Sequence, residues 1–303
     1  MTNIALFGTV FVDIKGFSQN PYDPAGRNVG DVQFIHGGVG RNVAEDMGIL
    51  GTAVTFISTL DQTAMGMDVE KRLQKYKINT EYLHKVEQNG MGMFIAILDQ
   101  HGDLAGSISK PPEFKFLEDL VTAKREEIIA NTDHVALEID LNSKIARDIV
   151  NTANRHQKPI YGIPGNLSVI LADKAILTGM ECFVCNDIEA EKIFACSFGK
   201  NDIAKIKSEL KGFVRQMKLK SMVITLGENG SVYYHHTMDE AVHKKITPVE
   251  MLDSTGAGDA FFAGVVSRVI QGKTLADAVD FAGKVAAYTI QSPESTCVGF
   301  RLD

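Results

Sequence analysis

The chain has 303 residues, 45% of them hydrophobic, which is enough to bury one large α/β core or two ordinary ones. Its formal net charge of −7 argues against unspecific binding to nucleic acid or to an anionic membrane, because both need a surplus of Lys and Arg. The N-terminus, MTNIALFGTVFVDIKG, has no basic residue ahead of its apolar stretch, and Asp13 and Lys15 interrupt the run. We therefore expect neither a secretion signal nor a membrane span, and we predict a cytoplasmic protein that binds a small molecule.

Short apolar runs alternate with helix-like stretches through most of the chain, which is typical of a mainly parallel sheet covered by helices on both faces. We predict strands at residues 4–7, 54–58, 134–137, 159–162, 182–185 and 222–226. We predict helices at residues 41–50, 69–76, 143–155, 189–195, 202–217 and 275–290. The fold class is therefore α/β.

Two stretches break this alternation. Residues 11–36 alternate loosely around a polar segment, and residues 91–108 are typical of a β-hairpin with its turn at 99–103. Strands without helices between them do not belong in a wound parallel sheet. We predict one domain over residues 1–303, in which lid strands inserted at about 11–36 and 91–108 form a small sheet over one end. The alternative is an extension used for dimer packing, and exposed apolar lid faces favour a homodimer through the lid.

The spacing of Cys182 and Cys185 is compatible with a zinc or redox site. The sequence contains no second Cys or His pair at a spacing that would complete a ligand set. Because both thiols lie in a predicted strand, we expect buried free cysteines.

Two glycine-rich stretches invite other interpretations. Residues 37–43, GGVGRNV, resemble a dinucleotide fingerprint, but Val43 stands where the third glycine belongs, so NAD binding and an oxidoreductase are disfavoured. Residues 272–274, GKT, resemble the end of a P-loop, but Ser267 replaces its first glycine and the triplet joins two helical stretches. We predict a plain turn there.

The segment DSTGAGDAFFAGVV, residues 253–266, joins small and acidic residues to an apolar run that must lie inside the protein. Small residues let successive amides converge, and a helix start adds partial positive charge, so residues 256–258 predict a phosphate pocket. Asp259 would repel a phosphate, and its presence needs a purpose. The simplest purpose is to accept a proton from a hydroxyl that attacks phosphorus. A capped helix start would account for Asp253 or Ser254 alone, but not for the whole cluster.

Two separated motifs, GGVGRNVAEDMGILG at residues 37–51 and DSTGAGDAFFAG at residues 253–264, together resemble the ribokinase (PfkB) family of sugar and nucleoside kinases. The resemblance covers essentially the whole chain. It implies a ribokinase-like three-layer α/β/α fold, with a mainly parallel central sheet and a small β-sheet lid. It also implies an ATP-dependent kinase that uses Mg²⁺.

The resemblance assigns roles to the matching residues. Asp259 matches the catalytic base, and the amides of Gly256, Ala257 and Gly258 match the anion hole. The acceptor site is matched by Asp13, Gly38, Asn42 and Glu138, and we add Arg41 to this set. The ATP site is matched by Asn186, Thr225, Gly227 and Gly230, together with Gly256 and Gly258. Glu189 would act on Mg²⁺ through its water shell, and Asp253 and Thr255 match a monovalent-cation site that many members fill with K⁺.

The acceptor is less defined. Residues 13–16, 28–30 and 37–42 look most like the pseudouridine-kinase branch, and Val39 stands where ribokinase-like sequences more often carry Lys. Residues 162–165, GIPG, depart from the Asp-Pro-type sequence of many relatives. We favour transfer to a primary hydroxyl of a ribonucleoside such as pseudouridine, with ribose, fructose or a phosphosugar as alternatives. A non-catalytic sensor of sugar or nucleotide would be expected to show a damaged catalytic loop, and residues 256–259 are intact.

Overall fold

The computed structural model describes residues 2–139, 141–199 and 202–302. The strands are β1 (Asn3–Phe7), β2 (Phe11–Ser18), β3 (Gly30–Gly37), β4 (Ala53–Asp61), β5 (Leu83–Val86), β6 (Gly92–Leu98), β7 (Leu104–Lys110), β8 (His134–Glu138), β9 (Ile160–Ile163), β10 (Cys182–Asn186), β11 (Ser221–Thr225), β12 (Ser231–His235) and β13 (Val242–Lys244). The helices are α1 (Val39–Ile49), α2 (Ala64–Lys75), α3 (Phe114–Ala130), α4 (Ser143–Arg155), α5 (Ser168–Ala172), α6 (Asp187–Phe194), α7 (Ile203–Met217), α8 (Ala257–Ile270) and α9 (Leu275–Thr289). Within the described ranges, no helix has both the length and the apolar character needed to cross a membrane.

The main sheet has the strand order β13-β12-β11-β10-β9-β8-β1-β4-β5. From β5 to β11 all neighbours are parallel, and β12 and β13 extend the sheet in antiparallel fashion. The chain order reverses between β1 and β8, since β4 lies on the other side of β1. Ligands of open α/β sheets bind outside the carboxyl ends of the strands at such a switch point.

Helices cover both faces of the main sheet, as the alternating pattern predicts. One apolar cluster joins the sheet to α3, α4, α6 and α7. Another joins the opposite face to α1, α2, α8 and α9. Helix α8 is apolar on nearly all sides and most of its residues are buried, because it lies between α1, α9 and the sheet. The predicted three-layer arrangement is confirmed.

A second sheet has the order β3-β2-β6-β7 and forms the lid. Strands β2 and β3 leave the main body directly after β1, and β6 and β7 form the predicted hairpin. Partners on neighbouring strands lie on the same face of a sheet. One face therefore carries Asp13 and Lys15, and the other carries Ile14 with its partners Phe34 and Ile95.

The predicted strands of the main sheet are all present, with ends shifted by a few residues. Helix α4 has the predicted bounds because the side chain of Asn142 accepts a hydrogen bond from the amide of Ile145. Helix α2 begins at Ala64 instead of residue 69, since Thr63 caps it there. Helix α3, strand β5 and the antiparallel strands β12 and β13 were not predicted. Cys182 and Cys185 lie buried in β10, and burial raises the pKa of the Cys182 thiol to about 12.

Candidate active site

The loop before α8 has the backbone shape that its small residues predict. Gly256 has a φ of 81°, and a Cβ atom there would overlap the carbonyl oxygen of Ser295. A Cβ atom on Gly258 would meet nothing within 4 Å, so the start of the helix is open on that side. The amide of Ala257 donates to the carbonyl of Ser254 at 3.2 Å, whereas among the described residues the amides of Gly256 and Gly258 have no hydrogen-bond acceptor. Two of the three predicted anion-hole amides are therefore available to a ligand.

Asp259 lies in the first turn of α8 and is held by α1. The side-chain Nδ2 of Asn42 donates a hydrogen bond to its Oδ2 at 2.7 Å. Burial raises the pKa of Asp259 to about 7, although the bond from Asn42 opposes the rise. The negative charges of Glu138 and Glu189 add to the rise. A carboxyl group that titrates near neutrality can take up and release a proton at working pH, as a general base must.

We expect kcat/KM to fall as the pH is lowered and Asp259 becomes protonated, with a midpoint near its pKa of about 7. The carboxylate must be ionised to accept a proton, so activity is present above this pKa and is lost below it. Replacing Asn42 by alanine removes the bond that favours the charged form, and the midpoint should move to higher pH. The pH dependence of kcat/KM for both proteins checks this, and an unmoved midpoint would contradict the assignment.

A buried guanidinium fixes the orientation of Asn42. Arg41 is 1% exposed and donates hydrogen bonds to Glu45 and Ser295, both at 3.0 Å, and to the side-chain oxygen of Asn42. With its oxygen bound to Arg41, the amide of Asn42 must present its nitrogen to Asp259. Arg41 was predicted to contact the acceptor, but in this structure it faces the interior. It positions the partner of Asp259.

Glu138 ties the end of β8 to the segments around the lid. Its Oε2 accepts hydrogen bonds from the amides of Thr9 at 2.8 Å and Gly40 at 3.0 Å. Gly40 packs directly on Gly8, where an added Cβ atom would lie 2.5 Å from the neighbouring Cα. Gly38, with a φ of 96°, starts α1 beside Thr9 and likewise leaves no room for a side chain. Glu138 therefore holds the crossing point of two chain segments, and its predicted contact with the acceptor stays a prediction.

Asp13 lies on the inner face of the lid. Burial raises the pKa of its carboxyl group, against the charges of Arg41 and Lys15. Gly37 makes room for it, since an added Cβ atom would lie 2.5 Å from Oδ2 of Asp13. Its register partners are Ile35 and Phe94. Within the described ranges, no hydrogen bond from a protein group reaches this carboxylate, and its predicted contact with the acceptor's hydroxyls stays a prediction.

Lys15 joins the lid to the loop before α8, and the sequence interpretation did not assign it a role. Its Nζ lies 2.9 Å from Oδ2 of Asp253 and 3.4 Å from Oγ1 of Thr255. A signal was present, because residues two apart on a strand share a face and Lys15 follows Asp13 by two. Asp253 and Thr255 were predicted to bind K⁺, and this role stays a prediction. A K⁺ ion at this carboxylate would have to share it with the ammonium group or displace it.

The predicted nucleotide side lies at the carboxyl ends of β10 and β11, which are neighbours with Asn186 opposite Thr225. Asn186 and Glu189 form a capping box at the start of α6, each side chain accepting the other's amide at 2.8 Å. The turn after β11 has Gly227 at a φ of 57° and Gly230 at a φ of 86°. Glu138 lies at the carboxyl end of β8, on the same side of the sheet. The residues predicted to bind the nucleotide and the acceptor therefore lie along the carboxyl ends of the parallel strands.

A protein-family model matches nearly the whole chain. The model of the pfkB family carbohydrate kinases matches residues 1–298. The chain belongs to the pfkB family. It is thus a phosphotransferase with an alcohol group as acceptor, and pfkB kinases use ATP with Mg²⁺.

Among curated pfkB relatives, the chain is 36% identical over 304 residues to a guanosine-inosine kinase of Exiguobacterium acetylicum, covering 100% of this chain and 99% of the relative. It is 23% identical over 281 residues to a pseudouridine kinase of Escherichia coli (strain K12), covering 92% and 87%. A ribokinase of Arabidopsis thaliana complexed with ribose and ATP superposes with a TM-score of 0.82 at 17% identity, covering 98% and 95%, which shows the fold. The narrower resemblance to the pseudouridine branch is not confirmed, because the guanosine-inosine kinase is the more similar of these two relatives.

Proposed function

We propose that this pfkB kinase transfers the γ-phosphoryl group of ATP to a primary hydroxyl of a ribonucleoside, with a purine ribonucleoside such as guanosine or inosine preferred. The observation that carries the proposal is the inner face of the lid, where Asp13 stands between Ile35 and Phe94. A carboxylate can accept paired hydrogen bonds from the two vicinal hydroxyls of a ribose, and apolar side chains beside it offer a surface for a planar base. The 36% identity to a guanosine-inosine kinase supports a purine base over pseudouridine.

The chemistry at the start of α8 follows from its residues. The acceptor hydroxyl attacks the γ-phosphorus, the bond to the leaving oxygen of ADP breaks, and Asp259 takes the hydroxyl proton. The transition state is loose and needs the base late, so most of the rate comes from positioning and charge stabilisation. The amides of Gly256 and Gly258 would donate to the transferring group. Asn42 keeps the carboxylate of Asp259 in place through its hydrogen bond.

The residues at the carboxyl end of β10, where the nucleotide is proposed to bind, are suited to hold Mg²⁺. Mg²⁺ prefers oxygen ligands and keeps several waters, so one carboxylate and the phosphates of ATP are enough to hold it. Glu189 supplies that carboxylate, and the capping box with Asn186 fixes it at the carboxyl end of β10. When bound, the ion would neutralise negative charge on the phosphates.

Comparing acceptors by kcat/KM tests the substrate class. We expect guanosine and inosine to exceed free ribose and fructose by at least about tenfold, the scale of one well-packed apolar contact. The 2′-deoxy analogue of guanosine should lose about 10- to 100-fold, because a half-buried carboxylate then lacks one donor. An Asp13→Asn variant should lose most of the difference in kcat/KM between guanosine and its 2′-deoxy analogue. Asp31→Asn, at an exposed position of the lid, should keep this difference.

The outcomes separate the alternatives. A preference for pseudouridine would contradict the proposed purine base, but it would agree with the proposed contact between Asp13 and the ribose. A preference for free hexoses would overturn the nucleoside proposal. Absence of ADP release with every acceptor would favour a sensor over an enzyme.

The outer face of the lid supports a homodimer. Phe34, Ile14, Ile95 and Ile108 form a row across the four strands on the face opposite Asp13. Phe34 and Ile108, on the two edge strands of the lid, are 60% and 69% exposed, which is unusual for large apolar side chains in one row of a sheet. Light scattering should give twice the chain mass for the native protein. Phe34→Glu should give the single mass, and Leu171→Glu, at an exposed position of α5, should give the native mass. A monomeric native protein would contradict the proposal.

Residues 1–303 are proposed to act as one kinase domain in the cytoplasm, where ATP is supplied. Cell fractionation and limited proteolysis test these two points. Activity confined to a membrane or secreted fraction, or a stable fragment that retains activity, would contradict them.

A further inference from the structure

The ion pair between Lys15 and Asp253 connects the lid to the loop that precedes α8. The two residues are 238 positions apart in the chain, and the pair has an N to O distance of 2.9 Å. The side chain of Lys15 is 15% exposed and that of Asp253 is 32% exposed. Ion pairs that are partly withdrawn from water are screened less than fully exposed pairs. The contact is therefore built into the lid interface.

Asp253 transmits this contact to the catalytic loop. Its Oδ1 accepts hydrogen bonds from the amide of Thr255 at 2.8 Å and from its hydroxyl at 2.7 Å, while Oδ2 accepts from Lys15. These bonds shape the turn that brings the chain to Gly256, whose positive φ starts α8. The contact made by Lys15 thus reaches Thr255, the residue directly before the proposed anion-binding amides.

The charge of Lys15 matters beside a phosphate site. Oδ2 of Asp253 pairs with the ammonium of Lys15, and its Oδ1 accepts hydrogen bonds from Thr255. This carboxylate lies close to where a highly charged anion would bind. An ammonium group on Asp253 reduces the repulsion between that carboxylate and the anion.

We propose that Lys15 is a positioning residue that latches the lid onto the catalytic loop and keeps the loop in its anion-binding shape. Asp13 and Lys15 lie on the same face of β2, so one strand carries both the acceptor's carboxylate and the latch. The strand that would bind the acceptor therefore also makes the contact with the loop. The inference rests on the anion-binding role proposed above for residues 256–258.

Lys15→Met removes the ammonium group and keeps most of the side-chain volume. We expect kcat to fall about 10- to 100-fold, the scale of a misplaced catalytic group. The KM of the acceptor should stay within about threefold, because uniform binding is unchanged. In hydrogen exchange without substrates, the amides of Thr255 and Ala257 should exchange about tenfold faster, since their protecting bonds depend on the loop shape. Lys15→Arg should restore part of both effects.

Lys110→Met is the matched control, because Lys110 also lies on a lid strand but is exposed and bonded to Asn89. It should behave as the native protein. Unchanged exchange in Lys15→Met would overturn the latch, even if kcat falls, because Lys15 would then act on the reactants directly. An unchanged kcat would overturn it as well. If no acceptor is phosphorylated by the native protein, the proposed function fails, and the exchange rates still decide the latch.

Discussion

Replacing Asp259 by asparagine is expected to lower kcat by ~10² to 10⁴, the range for loss of a general base. The amide is nearly isosteric, and its oxygen can still accept the hydrogen bond from Asn42, so the geometry of the loop should persist. ATP affinity should change little, because the proposed phosphate contacts are the amides at the start of α8 and not this carboxylate. Steady-state kinetics and ATP titration of the two proteins measure both quantities.

The same substitution should not destabilise the fold. Burial raises the pKa of Asp259 above its ordinary value, to about 7. The folded state therefore binds this proton more tightly than the unfolded chain does. The carboxyl group therefore costs stability as pH rises through this range. The asparagine variant lacks that cost and should unfold at an equal or higher urea concentration above pH 7. A variant that keeps its stability but loses activity is typical of the replacement of a functional residue that destabilises the fold.

Asp277→Asn is the control for Asp259, because Asp277 also lies in the first turn of a helix, α9, but is exposed. It should leave kcat near the native value. Near-native turnover in Asp259→Asn would remove Asp259 from its role. A loss of ATP binding as large as the loss of kcat would assign it to the nucleotide instead.

The sequence predicted those parts of the fold that have a strong local pattern. The apolar strands β1, β8 and β10 and the capped helix α4 were found because their patterns are uninterrupted. Helix α3 was missed because its buried residues, Leu117, Val121, Ile128 and Ile129, are separated by many charged ones. Strand β5 is short and exposes His84 and Lys85. Strands β12 and β13 pair in antiparallel fashion with the edge of the sheet, which a pattern of alternating strands and helices does not indicate.

The sequence also located the candidate site, but not the contacts within it. The two motifs place α1 and α8, and these helices bring Asn42 to Asp259. The contacts of Ser295 with Arg41 and beside Gly256 join residues far apart in the chain, and no local pattern predicts them. Arg41 was assigned to the acceptor because a charged residue in a motif suggests a ligand. Its burial depends on partners from other elements.

Helix α1 carries a buried charge cluster that the apolar pattern did not predict. Glu45 is 0% exposed and accepts hydrogen bonds from Arg41, from two nitrogens of Arg72 and from the hydroxyl of Thr296. The cluster connects α1 to α2 and to the C-terminal segment. It also supports Arg41, which orients Asn42 towards Asp259. Arg41 and Glu45 are four residues apart, the spacing of an ion pair on a helix, and this was the available signal.

Glu45→Gln is expected to destabilise the protein by about 3 to 5 kcal/mol, because it leaves the buried guanidinium of Arg41 without its paired carboxylate and leaves Arg72 with Glu294 alone. The substitution conserves volume, so no cavity contributes to the loss. Urea unfolding measures it.

Glu126→Gln is the control for Glu45. Glu126 also has two cationic partners, Arg155 and His156, but it is exposed, so its loss should cost far less stability than the loss of Glu45. Burial alone would raise the pKa of Glu45, but the bonds and charges of Arg72 and Arg41 outweigh it and lower the pKa. The stabilisation is therefore present above the ordinary pKa of glutamate and is lost as pH falls through the depressed one. The difference between native protein and Glu45→Gln should shrink in acid, and equal losses for the two variants at neutral pH would contradict the charge assignment.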